Sequence, residues 1–298
     1  MVDTLSPDTQ SNALNDLDGL PFDADTMFAD HKGVFKPRIE KKQRKLAGKL
    51  LFLKEFLEDG EKLLVTTTAV SPTSFFEQLT TGFIFVYIKR CLLVMTDRRI
   101  FHIPTNMNYN YRRSIAQIRY SDTESIVQKG SKLKIKYKSG AKDLFLYVRR
   151  AERKKIRAIL PSLSHEGPPS KSGKRVHLCP RCSAELENDL FECPSCALEF
   201  KSRKTALKLS IWLPGGGYFY TGHPLLGIGD ALFELLLILA VIVSLIPDAE
   251  FPDGNFGSAI VFGVILLIEK MITIYHANHF VKEYLTKDKE IKPVGHIG

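Results

Sequence analysis

Two long apolar stretches near the C-terminal end constrain this chain more than any other feature. They occupy residues 224–246 and 257–279 and contain few charged residues. A helix of that length measures about 35 Å, enough to cross the roughly 30 Å hydrocarbon core of a bilayer. We therefore predict an α-helical membrane hairpin, within a membrane domain at residues 205–282.

The charges around these stretches predict their orientation. The loop between them, residues 247–256, has three acidic residues and no basic one, whereas lysines and arginines collect before residue 209 and after residue 281. Basic residues gather on the cytoplasmic side of membrane helices. We expect a multi-pass protein of the plasma (inner) membrane with both termini, including a tail at 283–298, in the cytoplasm.

Four charged residues fall inside the apolar stretches: Asp230, Glu234, Glu269 and Lys270. Charged groups inside a bilayer are costly and are normally paired. A hairpin folded about residue 251 puts Glu234 at the depth of Lys270, which predicts an ion pair that fixes helix register or an oligomer contact. The alternative is a proton or ion path that also includes His276. Two helices cannot enclose a path, so that alternative requires a homo-oligomer.

The segment ahead of the first stretch is apolar but interrupted. It resembles the start of small two-span membrane domains of the TM2 kind, in the run Pro214-Gly215-Gly216-Gly217-Tyr218-Phe219-Tyr220-Thr221-Gly222. Residues 206–222 could lie at the interface, re-enter the membrane or cross it. A third crossing conflicts with the distribution of basic residues.

Two Cys-x-x-C pairs precede the membrane domain, separated by ten residues: Cys179, Cys182, Cys193 and Cys196. Each pair can wrap its backbone around one metal ion, and four thiolates close a tetrahedral zinc site with no open position. We predict structural Zn²⁺ in a cytoplasmic, reducing setting. The fifth cysteine, Cys91, is expected to be a buried apolar residue.

The segment around these cysteines, residues 177–201, resembles a zinc ribbon of the short Cys-Pro-x-Cys type. Such knuckles usually carry Gly after their second cysteine, where this chain has Ser183 and Ala197. Zinc ribbons often bind nucleic acid or protein. Because Arg181 is the single basic residue between the first and last cysteine, we expect no nucleic-acid binding. The polar, Gly- and Pro-containing residues 163–176 are expected to be a linker.

The N-terminal part divides by charge. Residues 1–31 contain seven Asp and no Lys or Arg, a composition that predicts a disordered acidic tail. Residues 32–58 have apolar residues at helical spacing among many lysines and arginines, which predicts a basic amphipathic helix. That helix could lie on anionic lipid or pack its apolar stripe on the next domain.

Residues 59–162 have the pattern of strands followed by a helix. The run from Leu92 to Phe101, read Leu-Leu-Val-Met-Thr-Asp-Arg-Arg-Ile-Phe, resembles a hairpin of bacterial pleckstrin-homology-like (PH-like) and GRAM-like domains. The resemblance implies a bent antiparallel β-barrel capped by its C-terminal helix, which binds lipid or protein and has no catalytic residue. A strand is also expected over residues 83–94.

One strand of this region alternates basic and apolar residues, which places its lysines on one face: Lys132, Lys134, Lys136 and Lys138. They are candidate contacts for lipid phosphates, or the solvated face of an ordinary strand.

Together these features predict a multidomain, membrane-anchored scaffold or binding protein. The PH-like domain binds membrane lipids or a protein partner, and the ribbon is structural. The alternative is a small oligomeric transport or channel-type component that uses the acidic residues of the membrane helices. The sequence contains no Ser/His/Asp arrangement, phosphate-binding loop or open metal site that would indicate an enzyme.

Overall fold

The computed structural model describes residues 16–17, 19–165, 167–170, 172–187, 190–247 and 253–287. These residues fall into two compact units, whose described parts are residues 16–187 and 190–287. The predictions for residues 1–15 of the acidic tail, 248–252 of the loop and 288–298 of the C-terminal tail lie outside the described residues.

Antiparallel strands dominate the first unit. They form a two-stranded sheet, β1-β2, a six-stranded sheet in the order β11-β10-β6-β5-β4-β3 and a three-stranded sheet, β7-β8-β9. The strands are β1 Asp16–Leu17, β2 Leu20–Pro21, β3 Leu63–Val70, β4 Arg90–Thr96, β5 Arg99–Pro104, β6 Ile115–Arg119, β7 Thr123–Lys129, β8 Lys132–Tyr137, β9 Lys142–Phe145, β10 Val176–Leu178 and β11 Glu185–Leu186.

The described strands form open sheets, so the predicted closed barrel is not confirmed. The chain leaves β6 through a 3-10 helix at Tyr120–Asp122, and β7 then begins the second sheet instead of pairing with β6. The six-stranded and three-stranded sheets meet at another edge, where Val70 and Leu146 exchange backbone hydrogen bonds of 2.8 and 3.0 Å.

Helices cover the sheets of the first unit. Its α-helices are α1 Ala24–Met27, α2 Pro37–Ala47, α3 Phe75–Thr81, α4 Phe85–Ile88 and α5 Arg150–Ile159. Its remaining 3-10 helices are Leu51–Phe56, Gly82–Ile84 and Leu160–Ser162.

The core of this unit has two apolar layers because successive side chains of a strand point to opposite faces. On β4, Leu92 and Val94 belong to one layer, whereas Cys91, Leu93 and Met95 belong to the other. The first layer is completed by residues from the segment 20–56, and the second by the three-stranded sheet and α5. Cys91 is fully buried, as expected of a small apolar residue.

Where it is described, the N-terminal segment differs from the predicted disordered tail and the predicted helix over residues 32–58. Leu20, Phe22, Met27 and Phe28 are buried in the first layer. These four residues give the acidic segment enough apolar surface to pack on the sheet. The prediction of disorder used the mean composition of residues 1–31, in which the aspartates outweigh these four residues. The basic helix α2 ends at Ala47, and its buried residues face the sheet.

Residues 75–88 form helices where a strand was expected from residue 83. An apolar run without alternation fits either a buried strand or a helix. Ser74 begins α3 by accepting a hydrogen bond from the Glu77 backbone N–H at 3.0 Å, and the strand starts only at Arg90. We call residues 75–88 the apolar insertion.

The described part of the second unit holds the second cysteine pair, followed by four helices: α6 Arg203–Trp212, α7 Gly216–Tyr220, α8 Pro224–Ser244 and α9 Phe256–Val281. Both α8 and α9 are long and apolar enough to cross a membrane. Only 17% of the apolar 18-residue segment of α8 and 11% of that of α9 is buried within the protein. By contrast α6 has ten residues and spans about 15 Å, too short for a crossing.

The glycine run between α6 and α7 allows close packing at the base of α8. Gly215 has φ +66°, and a Cβ there would lie 2.1 Å from the Gly227 carbonyl oxygen. A Cβ on Gly217 would lie 2.1 Å from Ser210 Oγ. Larger residues at these two positions would therefore force the helices apart.

Candidate functional site

The four predicted zinc ligands come together. The four sulfur atoms, those of Cys179, Cys182, Cys193 and Cys196, all lie within 4.8 Å of one another. Four sulfurs around one zinc ion lie about 3.8 Å apart when each Zn–S bond is about 2.3 Å. The cluster is therefore of a size that can hold Zn²⁺ with four thiolates and no open position.

Both Cys-x-x-C turns have the same backbone arrangement. Ser183 N–H donates to the Cys179 carbonyl and Ala197 N–H donates to the Cys193 carbonyl, each at 2.9 Å. Ser183 and Ala197 have φ values of +59° and +56°. Left-handed backbone favours glycine, which explains why knuckles of this kind usually carry Gly there. Two residues held in a costly conformation indicate that the turn geometry is required.

Each knuckle is held by its own surroundings. The first lies between β10 and β11, and β10 pairs with β6 of the large sheet. The second is followed by Phe200, which forms a β-bridge with Thr286, and by Lys201, whose N–H donates to the Leu285 carbonyl at 2.8 Å. The cysteines are thus carried by ordered backbone rather than by a linker.

A second cluster lies between α8 and α9. Lys270 Nζ donates to Glu234 Oε2 at 2.6 Å and to the Ser210 carbonyl at 2.9 Å. Carboxylate oxygens of Asp230, Glu234 and Glu269 lie within 4.8 Å of one another. Three carboxylates and one ammonium therefore share this place on the two apolar helices.

The bonding of this cluster is incomplete. The Thr273 hydroxyl lies 2.9 Å from Asp230 Oδ1 and 3.1 Å from Glu269 Oε1, but its one proton can serve only one of them. Glu234 is fully buried, and its Oε1 has no hydrogen-bond partner within the described residues. His276 instead contacts the hydroxyl of Tyr218 at 2.6 Å. The cluster can accept a further cation or proton.

The candidate lipid-contacting lysines lie on β8 and at the residue that follows it. All four side chains, Lys132, Lys134, Lys136 and Lys138, are exposed, while the apolar residues between them are buried. Lys136 forms an ion pair with Glu124 at 2.6 Å, and both residues are largely in solvent. The arrangement fits a solvated face as well as a lipid contact.

The sequence did not reveal the role of the turn between β4 and β5. Arg99 is buried and forms a paired contact with Glu61, with its Nε 3.0 Å from Oε1 and its terminal NH2 2.6 Å from Oε2. Thr96 Oγ1 donates to Glu61 Oε1 at 2.7 Å. A buried ion pair therefore joins the turn of this motif to Glu61, which lies just before β3.

The apolar insertion was also missed as a surface. Phe75, Leu79 and Phe83 are 80%, 68% and 86% exposed. Exposure of that kind distinguishes them from core residues, and a contiguous apolar surface commonly marks a binding site. The long apolar run at residues 83–88 was visible in the sequence, but only the structure shows that Phe83, Ile84 and Tyr87 of this run are exposed.

Comparisons with known proteins do not assign a family. No protein-family model matches the chain, and no curated protein is significantly similar to it. One solved structure, the crystal structure of the C-terminal domain of an unknown protein from Leishmania infantum, is 14% identical. The match covers 41% of this chain and 94% of that one, with a TM-score of 0.25. A likeness this low carries no argument about fold or function.

Proposed function

We propose that this chain is a membrane-anchored, non-catalytic binding protein whose first unit docks on the surface of a lipid bilayer. Helices α8 and α9 are its anchor, the ribbon is a structural zinc module, and the first unit is a PH-like binding domain. The observation that carries the proposal is the exposed apolar insertion, because a surface of this kind on a folded domain needs an occupant.

The insertion has the composition of a membrane-interface element. Its exposed residues include four aromatic and two aliphatic side chains: Phe75, Phe76, Leu79, Phe83, Ile84 and Tyr87. Its one charged residue, Glu77, is buried. Aromatic and aliphatic side chains without charge are those that enter the boundary between headgroups and acyl chains. A bilayer is therefore the occupant that the composition favours.

The insertion is also held firmly. Glu77 pairs with Lys89 at 3.1 Å, and both side chains are buried. Phe85 is buried, and the Lys89 carbonyl accepts a hydrogen bond from Ser71 N–H at 2.8 Å. A surface that is already ordered loses little conformational entropy when it binds.

Basic residues continue from the insertion along the three-stranded sheet. The rings of Phe85 and Tyr147 are in contact, and Val148 N–H donates to the carbonyl of Ser131, the residue before β8. The exposed lysines that begin with Lys132 follow from there. Each basic residue near an anionic surface contributes about 1 kcal/mol, which supports docking on anionic lipid.

The order of elements supports the PH-like part of the proposal. Seven antiparallel strands, β3 to β9, are followed at once by α5, whose buried Ile156 packs in the layer between the two sheets. A terminal helix against bent antiparallel strands is the arrangement that the resemblance implies. The open sheets leave the barrel itself as a proposal.

Depth-sensitive fluorescence on the whole chain tests the docking. Trp212 is the one tryptophan of the sequence, so Phe83→Trp in a Trp212→Phe background reports only on the insertion. In nanodiscs that contain anionic lipid, we expect brominated acyl chains to quench this tryptophan strongly. The matched control is Met107→Trp in the same background, at an exposed position outside the insertion.

Equal and weak quenching at positions 83 and 107 would contradict bilayer docking. Protection of the same tryptophan by a protein recovered with the chain would then assign the insertion to a protein partner. Neither result depends on the zinc module, because both variants retain all four cysteine ligands.

A second candidate function is cation binding or passage by an oligomer of the membrane helices. The observation in its favour is the cluster between α8 and α9, where one ammonium faces three carboxylates and Glu234 Oε1 is buried without a partner. Oxygen ligands suit hard cations. Mn²⁺ resonance spectra of the chain in nanodiscs should show binding that Asp230→Asn removes and Asp253→Asn, in the loop, retains. Equal spectra for both variants would exclude this candidate.

A further inference from the structure

A cleft on the first unit is lined mainly by charged side chains, which make up eight of its twelve lining residues. It has a volume of about 620 Å³ and lies between α2, α5 and the turn that follows α1. Six basic residues line it: Arg38, Lys42, Arg149, Arg150, Lys154 and Lys155. The acids that line it are Asp30 and Glu152, so the formal charges leave an excess of positive charge.

Both acids are already engaged. Glu152 accepts a hydrogen bond from Lys42. Asp30 Oδ1 accepts hydrogen bonds from the backbone N–H groups of Lys32 at 2.8 Å and Val34 at 3.2 Å. These backbone bonds lower the pKa of Asp30, which keeps its carboxylate ionised in its own turn. The two acids therefore offset only part of the charge of the six basic residues.

The basic residues divide into a floor and a rim. Lys155 is buried in the floor, where its Nζ donates to the Met27 carbonyl at 2.7 Å. Arg38, Arg149, Arg150 and Lys154 are exposed at the rim. Within the described residues, no ion pair engages any of these four side chains, whereas Lys42 is paired with Glu152.

The floor is electrostatically unsatisfied in the absence of an anion. Burial lowers the pKa of Lys155 to about 8, more than the nearby carboxylates raise it. Burial also lowers the pKa of Lys42, although Glu152 opposes the effect. An anion in the cleft would favour the charged form of both ammonium groups.

The start of α5 adds a further attraction. Helix α5 begins at Arg150, and no side chain caps the N–H groups of its first turn, whose one acid, Glu152, is paired with Lys42. The N-terminus of a helix favours negative charge, and backbone N–H groups there can bind phosphate oxygens. Arg149 and Arg150 stand at the same end, and guanidinium groups bind phosphate in pairs of hydrogen bonds.

We propose that this cleft binds a compound carrying several phosphate groups, with its phosphates between the rim of Arg38, Arg149, Arg150 and Lys154 and the lysines of the floor. A single carboxylate or chloride would leave most of the charge uncompensated. The volume falls in the range of small-molecule sites. None of these residues belongs to the apolar insertion or to β8, so the inference stands apart from bilayer docking.

Calorimetric titration of the whole chain in uncharged nanodiscs tests the proposal, with inositol hexakisphosphate as the probe. We expect saturable binding of one probe per chain that weakens as salt is raised. The variant Arg149→Gln/Arg150→Gln/Lys154→Gln should weaken binding by about tenfold or more. The matched control, Lys132→Gln/Lys134→Gln/Lys138→Gln (the β8 variant), removes the same number of charges from β8 and the residue after it and should retain the affinity within about twofold.

The physiological source is distinguished by a second arm. The titration is repeated in nanodiscs that contain a phosphoinositide. Displacement of the probe would assign the site to a lipid headgroup, and no displacement would assign it to a soluble phosphate compound. Both results support the cleft. Absence of probe binding, or equal weakening by the β8 variant, would overturn it. Retained strand content in the circular dichroism spectrum of each variant excludes loss of the fold as the cause.

Discussion

At the scale of residues, Arg99 shows what local sequence can and cannot predict. The run from Leu92 to Phe101 correctly indicated two strands joined at a turn, because its alternation and the polar Thr96-Asp97 pair are local features. The partner of Arg99 is Glu61, which lies 38 positions earlier in the chain. That pairing exists only because β3 lies beside β4, so no local pattern could have indicated it.

Arg99→Met should destabilise the first unit by about 3–5 kcal/mol, because it leaves the fully buried Glu61 carboxylate without its cation. Arg98→Met is the matched control. Arg98 pairs with Glu58 at 3.1 Å, but both side chains are well exposed, so the loss should stay below about 1 kcal/mol. Denaturant unfolding followed by circular dichroism measures both. Similar losses for the two variants would contradict a special role for the buried pair.

The buried Lys155 predicts a dependence of stability on pH. Its pKa is lowered to about 8 in the folded chain, whereas that of an unfolded lysine is about 10.4. Between these values the unfolded state binds more protons, so this group makes the folded state more stable as pH rises through that window. Lys155→Met should flatten the rise between about pH 8 and 9.5.

The control for that measurement is Lys45→Met, at an exposed position of α2. It should leave the slope of unfolding free energy against pH unchanged. Burial raises the pKa of Tyr120 and Tyr137 in the folded chain, so these tyrosines affect stability once the unfolded chain ionises near pH 10. Restricting the range to below about pH 9.5 limits their contribution. An unaltered slope in Lys155→Met would show that another group dominates.

At the scale of elements, prediction succeeded where a pattern was periodic. Strand β8 alternates basic and apolar residues, and the structure alternates exposed and buried ones along it. Residues 83–88 have no period, and they became part of a helical insertion rather than of β4. Strand β10 pairs with β6, a contact between distant segments that gives no local signal. Length and hydropathy were sufficient for α8 and α9.

An ion pair of 2.6 Å between Glu234 and Lys270 joins α8 and α9. Lys270→Met should be strongly destabilising, by about 3–5 kcal/mol, because it leaves a buried carboxylate unpaired. Adding Glu234→Gln should restore part of that loss, so the double variant should be milder than Lys270→Met alone. Thermal unfolding in nanodiscs provides the comparison. Additive losses would mean that the two side chains act separately.

At the scale of the whole molecule, the cysteine cluster was the most predictable feature, and the apolar insertion and the basic cleft were the least predictable. The four cysteines lie within eighteen residues as two pairs of equal spacing. Equal spacing predicts two similar turns, and both turns have the same backbone hydrogen bond. The basic cleft instead joins α2 to α5, from residues more than one hundred positions apart. The apolar insertion is recognised only once the core is known to lie elsewhere. Surfaces made by tertiary packing have no linear signature.

The zinc module predicts a response of the whole chain. The purified protein should hold one Zn²⁺, and Cys193→Ser should lose it, because three thiolates leave the site open. Since β10, which leads into the first cysteine pair, continues the large sheet, a chelator should lower the unfolding temperature of the strand-rich part. Cys91→Ser, which removes a cysteine outside the cluster, should retain one zinc per chain. An unchanged unfolding temperature after complete removal of the metal would contradict a structural role.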